Sequence, residues 1–192
     1  MRLAIFGGTF DPIHKAHVAM AQAAAERFHL DRVLVIPAAH PPHKSGATFA
    51  SYEDRLHMVE LACADDARLE VSRLEEGTAR SYSIDTIDKL RASLSPGDDL
   101  YFIIGADAFA EIQTWHRWRD VVRGVIFIVV SRPGHVYAVP EGARVERLES
   151  LDLPVSSSEI RRALAARKRP SDVPECVLEY IFHRGLYISQ AR

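Results

Sequence analysis

The sequence predicts an α/β fold: a Rossmann-like, doubly wound parallel sheet of about five strands, with a small helical segment at the C-terminal end. Three observations predict it. Short apolar runs without alternation read as strands covered on both faces, which is the signature of a parallel sheet. Helical patterns separate those runs, and strand–helix alternation implies right-handed crossovers. Finally, 192 residues with 47% hydrophobic and 26% charged composition suit one ordinary globular domain.

The elements follow in order. Leu3–Phe6 is the first strand, and Val18, Ala21, Ala25 and Phe28 then recur on one helical face. Val33–Ile36 is the second strand. The Pro-, Gly-, Ser- and His-rich stretch from Pro37 to Ala50 reads as a loop at its carboxyl end. Tyr52–Ala64 is a helix, Leu69–Val71 a strand and Ser83–Leu94 another helix, capped by Ser81 or Ser83 with Ile84 and Ile87 facing the core. Leu100–Ile104 and Val125–Val130 complete five strands. The chain reads as one domain, with an α/β core over residues 1–150 and a helical part over 151–192. In that part Ile160 and Leu164 are the buried pair of a short helix reaching about Ala166. A last helix starts at Asp172-Val173-Pro174 and runs to Gly185, with Val177 and Ile181 one turn apart.

Composition narrows the function. A net charge of −2 gives no overall field toward nucleic acid or an anionic membrane, so phosphate binding has to come from a local cluster. Cys63 and Cys176 form no CxxC pair and read as buried small hydrophobes in a reducing compartment. The first apolar run is too short for a signal peptide and no stretch approaches a membrane span, which points to the cytoplasm.

The unusual residues fall at the carboxyl ends of strands, where open α/β sheets bind ligands. The first strand ends in Gly7-Gly8-Thr9-Phe10-Asp11-Pro12-Ile13-His14-Lys15-Ala16-His17. Two glycines allow a tight turn and close approach of backbone N–H groups, and a helix start favours anions. His14 and His17 fall on one side of the first helical turn, where a phosphate would meet both imidazoles. Neither GxGxxG nor GxxxxGK[ST] is present, so a redox dinucleotide domain and a P-loop enzyme both fit poorly. Metal binding by the two histidines lacks a nearby cysteine or matching carboxylate. Near the other end, Ser156-Ser157-Ser158-Glu159-Ile160-Arg161 has capping-box spacing between Ser156 and Glu159. Three hydroxyls at a helix start with an arginine in its first turns also suit a triphosphate. Arg162 points away around the helix and reads as a surface residue.

These two segments resemble the GxFDPxHxGH and ISSTxIR signatures of the nucleotidyltransferase superfamily. The first matches at Gly8, Phe10, Asp11, Pro12, His14 and His17 and departs at Ala16, where the family usually has glycine. In the second, Val155 and Ser158 stand for isoleucine and threonine. Three more segments resemble the bacterial nicotinate-nucleotide adenylyltransferases: Pro37-Ala38-Ala39-His40-Pro41-Pro42-His43-Lys44, Arg80-Ser81-Tyr82-Ser83-Ile84-Asp85-Thr86, and Ile104-Gly105-Ala106-Asp107 followed by Trp115 and Trp118. With the signatures, the likeness spans nearly the whole chain. Ser131-Arg132-Pro133-Gly134 also matches a family segment.

The resemblance implies transfer of AMP from ATP to nicotinate mononucleotide, giving nicotinate adenine dinucleotide and pyrophosphate without a covalent intermediate. It assigns Gly7, Gly8, Thr9, Phe10, His14, His17, Gly105, Asp107, Ser157, Ser158 and Arg161 to ATP. It assigns Asp11, His43, Lys44, Tyr82, Thr86, Trp115 and Arg132 to the acceptor nucleotide, with Asp107 also near its ring. His14, His17, Lys44 and Arg161 are the expected catalytic groups, and Mg²⁺ arrives bound mainly by the phosphates of ATP. An indole such as Trp115 suits an electron-poor pyridinium ring. The sister family of pantetheine-phosphate adenylyltransferases shares both signatures but calls for neither Ser81–Thr86 nor Trp115. A nucleotide-binding regulatory module without turnover is the alternative from another class. The expected partners are the two substrates, not nucleic acid or a membrane, and the pattern leaves a homo-oligomer open.

Overall fold

The computed structural model describes residues 1–40, 48–149 and 155–188. Six strands form one sheet: β1 (Arg2–Gly8), β2 (Arg32–Pro37), β3 (Leu69–Val71), β4 (Asp99–Gly105), β5 (Ile126–Ser131) and β6 (Arg144–Glu149). Their spatial order is β3-β2-β1-β4-β5-β6, and every neighbouring pair is parallel. The order reverses between β1 and β4. The chain leaves β1 toward β2 on one side, and β4 starts the run the other way, so a crevice opens at their carboxyl ends.

Alternation along the strands sends side chains to two cores. Ala4, Phe6, Val33, Val35, Ile103 and Ile128 face one side. There they meet Ala21, Ala24 and Ala25 of α1 (Lys15–Arg27) and Met58 and Val59 of α2 (Tyr52–Cys63). Ile160 and Leu164 of α6 (Ser157–Ala165) and Val177 and Ile181 of α7 (Glu175–Arg184) join the same cluster. Leu3, Ile5, Leu34, Phe102 and Phe127 face the other side, against Ile84 and Ile87 of α3 (Ser83–Ser93), Phe109 of α4 (Ala106–Ala110) and Val121 and Val122 of α5 (Trp118–Gly124). The C-terminal helices thus close the same core as the first two, which brings the second motif back beside the first.

Several expectations need correction. The sheet has a sixth strand, β6, where about five were predicted. Its sequence, Arg-Val-Glu-Arg-Leu-Glu, carries no apolar run because it is an edge with only Leu148 buried. Val125 ends α5 rather than opening β5. Tyr82, not Ser81 or Ser83, is the N-cap of α3, and it caps with backbone alone. Ser81 instead accepts the His40 N–H through Oγ at 3.0 Å. Pro174 sits at the N-cap of α7, just outside the helix, while Gly185 ends it at φ 65°, in the left-handed region that glycine enters without strain. Cys63 is buried, and burial pushes its thiol up to about 11. Cys176, in the first turn of α7, is exposed, with its thiol within reach of the Leu61 carbonyl at 3.5 Å. Of the predicted Pro37–Ala50 loop, residues 41–47 lie outside the described residues, and with them His43 and Lys44.

Candidate active site

The β1–α1 turn is built around Gly8 and Phe10. A Cβ on Gly8 would stand 2.8 Å from the Phe10 ring, so only glycine fits. Phe10 takes a left-handed φ of 49° and turns its ring into the core, edge-on to Phe6 and to His17. At 2% exposure that ring is closed to a ligand, so any contribution of Phe10 to ATP comes from its main chain. Gly7 is exposed and a Cβ there would make only ordinary contact, 3.9 Å from Phe102.

His14 and His17 come together as predicted. Their rings stack at 3.6 Å between centroids, 19° from parallel. The His14 N–H donates to His17 Nδ1 at 3.3 Å, which leaves the proton of a neutral His17 ring on Nε2 as a donor. His14 is 5% exposed, and its Nδ1 has no partner among the described residues. Burial pulls its pKa down to about 4, against a smaller opposing pull from Asp172. At neutral pH His14 is therefore an uncharged imidazole, suited to hydrogen bonding rather than to charge pairing.

Residues 145 and more positions apart join the two signatures. The Ser157 hydroxyl donates to the Pro12 carbonyl at 3.2 Å, and Arg161 Nη1 donates to the Asp11 carbonyl at 2.7 Å. Arg161 Nη2 also donates to Ser158 Oγ at 3.1 Å. Ser156 Oγ accepts the Ser158 N–H, which starts α6. The start of α6, with its anion-favouring backbone, is thereby locked against the turn that carries both histidines. Arg162 is on the outside, within ion-pair reach of Glu159.

Three groups that complete this arrangement were not singled out from the sequence. Arg55 of α2 is fully buried, and its Nη1 donates to the Thr9 and Ala38 carbonyls at 2.7 and 2.8 Å, tying the β1 and β2 loops together. An arginine between Asp54 and Leu56 in a helix carries no sign of this, since most such side chains are solvated. Tyr187, past α7, donates through its hydroxyl to Asp11 Oδ1 at 2.6 Å. The same carboxylate accepts the Phe49 and Ala50 N–H groups at 2.8 and 3.2 Å. Asp11, expected at the acceptor, is 3% exposed and spends its carboxylate on these internal partners. Glu75 is the third: Thr86 Oγ1 donates to its Oε1 at 3.0 Å. Burial raises the Glu75 pKa, offset in part by the hydroxyls of Ser81 and Thr86. Thr86 is itself 3% exposed, so it stands beneath the predicted acceptor surface rather than on it.

Of the other predicted acceptor residues that lie among the described ones, Tyr82 starts α3, Trp115 follows β4 and Arg132 follows β5. Tyr82 is half-buried, stacked on His116 at 4.4 Å, and its hydroxyl accepts from Arg80. Trp115 is half-buried with one edge against Phe102 at 5.9 Å, so it is partly a core residue. Gly105 is the N-cap of α4, where a Cβ would meet no protein atom within 4 Å; Asp107 is exposed in the first turn. Arg132 is exposed just after β5. Among the described residues no group of three or more His, Cys, Asp or Glu side chains is arranged to hold a metal. None of their helices is long and apolar enough to cross a membrane.

A parallel sheet with paired imidazoles and an arginine-bearing helix start at its switch point defines a nucleotidyl-transferring class, and the cytidylyltransferase-like family model matches residues 5–163. A probable nicotinate-nucleotide adenylyltransferase of Solibacter usitatus is 67% identical over 97% of this chain and all of its own length. One of Acidothermus cellulolyticus is 38% identical over 97% of this chain and 94% of its own. The chain belongs to the nicotinate-nucleotide adenylyltransferase family. The fold also matches nicotinic acid mononucleotide adenylyltransferase of Plasmodium falciparum, solved with NaAD, at a TM-score of 0.79 and 21% identity over 97% of both chains.

Proposed function

We propose that this chain transfers the adenylyl group of ATP to nicotinate mononucleotide, giving nicotinate adenine dinucleotide and pyrophosphate in NAD synthesis. The observation that carries the reading is the contact between the two signatures: Ser157 and Arg161 bonded to the carbonyls of Pro12 and Asp11, beside the stacked His14 and His17. The nucleophile is the phosphate of the acceptor, ionised at neutral pH, so neither a general base nor a protein nucleophile is required. An acceptor oxygen bonds to the α-phosphorus of ATP in line as the bond to the β-phosphate oxygen breaks, and pyrophosphate leaves with the charge.

Catalysis is then positioning and charge stabilisation. His17, with Nε2 as donor, and neutral His14 meet the phosphates of ATP. Ser157, Ser158 and Arg161 hold its β- and γ-phosphates, and Gly7, Gly8, Thr9, Gly105 and Asp107 line its path. Tyr82, Trp115 and Arg132 face the acceptor, over a floor held by Thr86 and Asp11, and by the family resemblance His43 and Lys44 meet its phosphate charge. A divalent cation, Mg²⁺ in this reading, would be held by the phosphate oxygens of ATP and would offset their charge, which suits a chain whose described residues carry no cluster of three or more His, Cys, Asp or Glu ligands of their own. The whole chain acts as one unit, in the cytoplasm, with no call on nucleic acid or a membrane.

The test is to incubate the protein with ATP, Mg²⁺ and nicotinate mononucleotide and to quantify both products. Equal amounts of dinucleotide and pyrophosphate are expected. His17→Ala is expected to lose a factor of about 10² to 10³ in kcat with an unchanged unfolding temperature. A well-folded His17→Ala with wild-type turnover would refute the role of His17.

A further inference from the structure

Phe49 is exposed to 71%, yet its ring lies on the guanidinium of Arg161, 4.4 Å from Cζ to the ring centroid. Burial does not explain an aromatic at this place. Its main chain is bolted down, because the Phe49 N–H donates to the buried Asp11 carboxylate at 2.8 Å. Asp11 in turn offers its own carbonyl to Arg161 Nη1 at 2.7 Å. One acidic residue therefore places both members of the stack.

We propose that Phe49 is a positioning residue for the ATP site, a lid on one face of Arg161 that fixes the plane of its guanidinium. The inference rests on the reading of Arg161 as a phosphate contact. Two hydrogen bonds, to Asp11 and Ser158, use one N–H on each terminal nitrogen. Of its five N–H donors, three have no partner among the described residues and are open to a ligand. Two edge contacts alone leave the fork free to tilt about the line joining them. A ring against one face removes that freedom and makes the remaining donors point one way before ATP arrives, which lowers the ordering cost of binding. The same ring keeps water from that face of the cation, where contact between a guanidinium and a π face is favourable.

The test is an aromatic series at position 49, read as separate KM values for ATP and for the acceptor. Phe49→Leu keeps an apolar side chain but removes the π face. It is expected to raise the KM for ATP about two- to fivefold, with the acceptor KM and the unfolding temperature unchanged. Phe49→Trp is expected to restore the wild-type KM or improve on it, since indole is the better cation partner. In an Arg161→Met background, Phe49→Leu is expected to have no further effect. Three results overturn the proposal: a wild-type KM for ATP in Phe49→Leu, equal losses in the Leu and Trp variants, or additive losses with Arg161→Met. If Arg161→Met alone leaves turnover intact, it is the reading of Arg161 as a phosphate contact that fails. An impaired Arg161→Met beside a normal Phe49→Leu overturns the role of Phe49 alone.

Discussion

Replacing Tyr187 by phenylalanine removes one hydroxyl and tests whether the tail after α7 holds the phosphate-binding turn. Tyr187 sits at φ 61°, a left-handed conformation that costs a non-glycine residue about 1 kcal/mol or more. It keeps that conformation while its hydroxyl donates at 2.6 Å to the Asp11 carboxylate, which is 3% exposed. A hydrogen bond to a charged group contributes about 1.5–3 kcal/mol, so the variant is expected to lose about 2 kcal/mol. For a chain of this size that is a fall of roughly 4–8 °C in unfolding temperature. The pH dependence adds a signature. Burial, and then the Asp11 carboxylate, raise the Tyr187 pKa in the folded state. Above about pH 10 an unfolded tyrosine releases its proton while the folded one keeps it. The contribution is therefore complete below pH 10 and lost as pH rises beyond it, and the gap between wild type and variant should narrow there. Scanning calorimetry of the two proteins at pH 8 and pH 10.5 reads both effects. A gap below 1 °C at pH 8 would contradict the idea that Tyr187 anchors Asp11.

Two further perturbations address the same turn. His14 is neutral when folded, with its pKa lowered to about 4, whereas an unfolded histidine takes up a proton near 6.5. Its depressed pKa makes stability fall as pH drops from about 6.5 toward 4, by about 2 kcal/mol at pH 5. Urea unfolding at pH 7 and pH 5 should show this loss in wild type and a smaller one in His14→Asn; equal losses in both would remove His14 as the cause. Arg55→Met leaves the Thr9 and Ala38 carbonyls without their donor, at about 1–3 kcal/mol for each buried acceptor, and is expected to cost about 3 kcal/mol in the same assay, with a cost under 1 kcal/mol counting against its bridging role.

What could be read from the sequence divides along physical lines. The strands buried on both faces announced themselves as apolar runs, whereas β6 did not, because an edge strand with one buried leucine can be almost wholly charged. The histidine pair was legible since its two members share one helical turn, and the serines and arginine of α6 since they share a helix start. Their mutual contact, across 145 residues, depends on α6 and α7 folding back onto the core of α1 and α2. Groups that act at a distance left no local trace. Arg55, Glu75 and Tyr187 look like ordinary solvated side chains until the fold brings them, the first two buried and Tyr187 half-buried, beside Thr9, Thr86 and Asp11. For the same reason Asp11 and Thr86 were expected at the ligand, while their polar groups turn inward.

The choice of acceptor is the central claim, and the most direct test compares nicotinate mononucleotide, nicotinamide mononucleotide and phosphopantetheine in one pyrophosphate-release assay with ATP and Mg²⁺. The account predicts the highest kcat/KM for nicotinate mononucleotide. A higher value for either of the other acceptors would contradict the assignment of Tyr82, Trp115 and Arg132 while leaving the ATP site standing, and no release with any of the three would contradict adenylyl transfer itself.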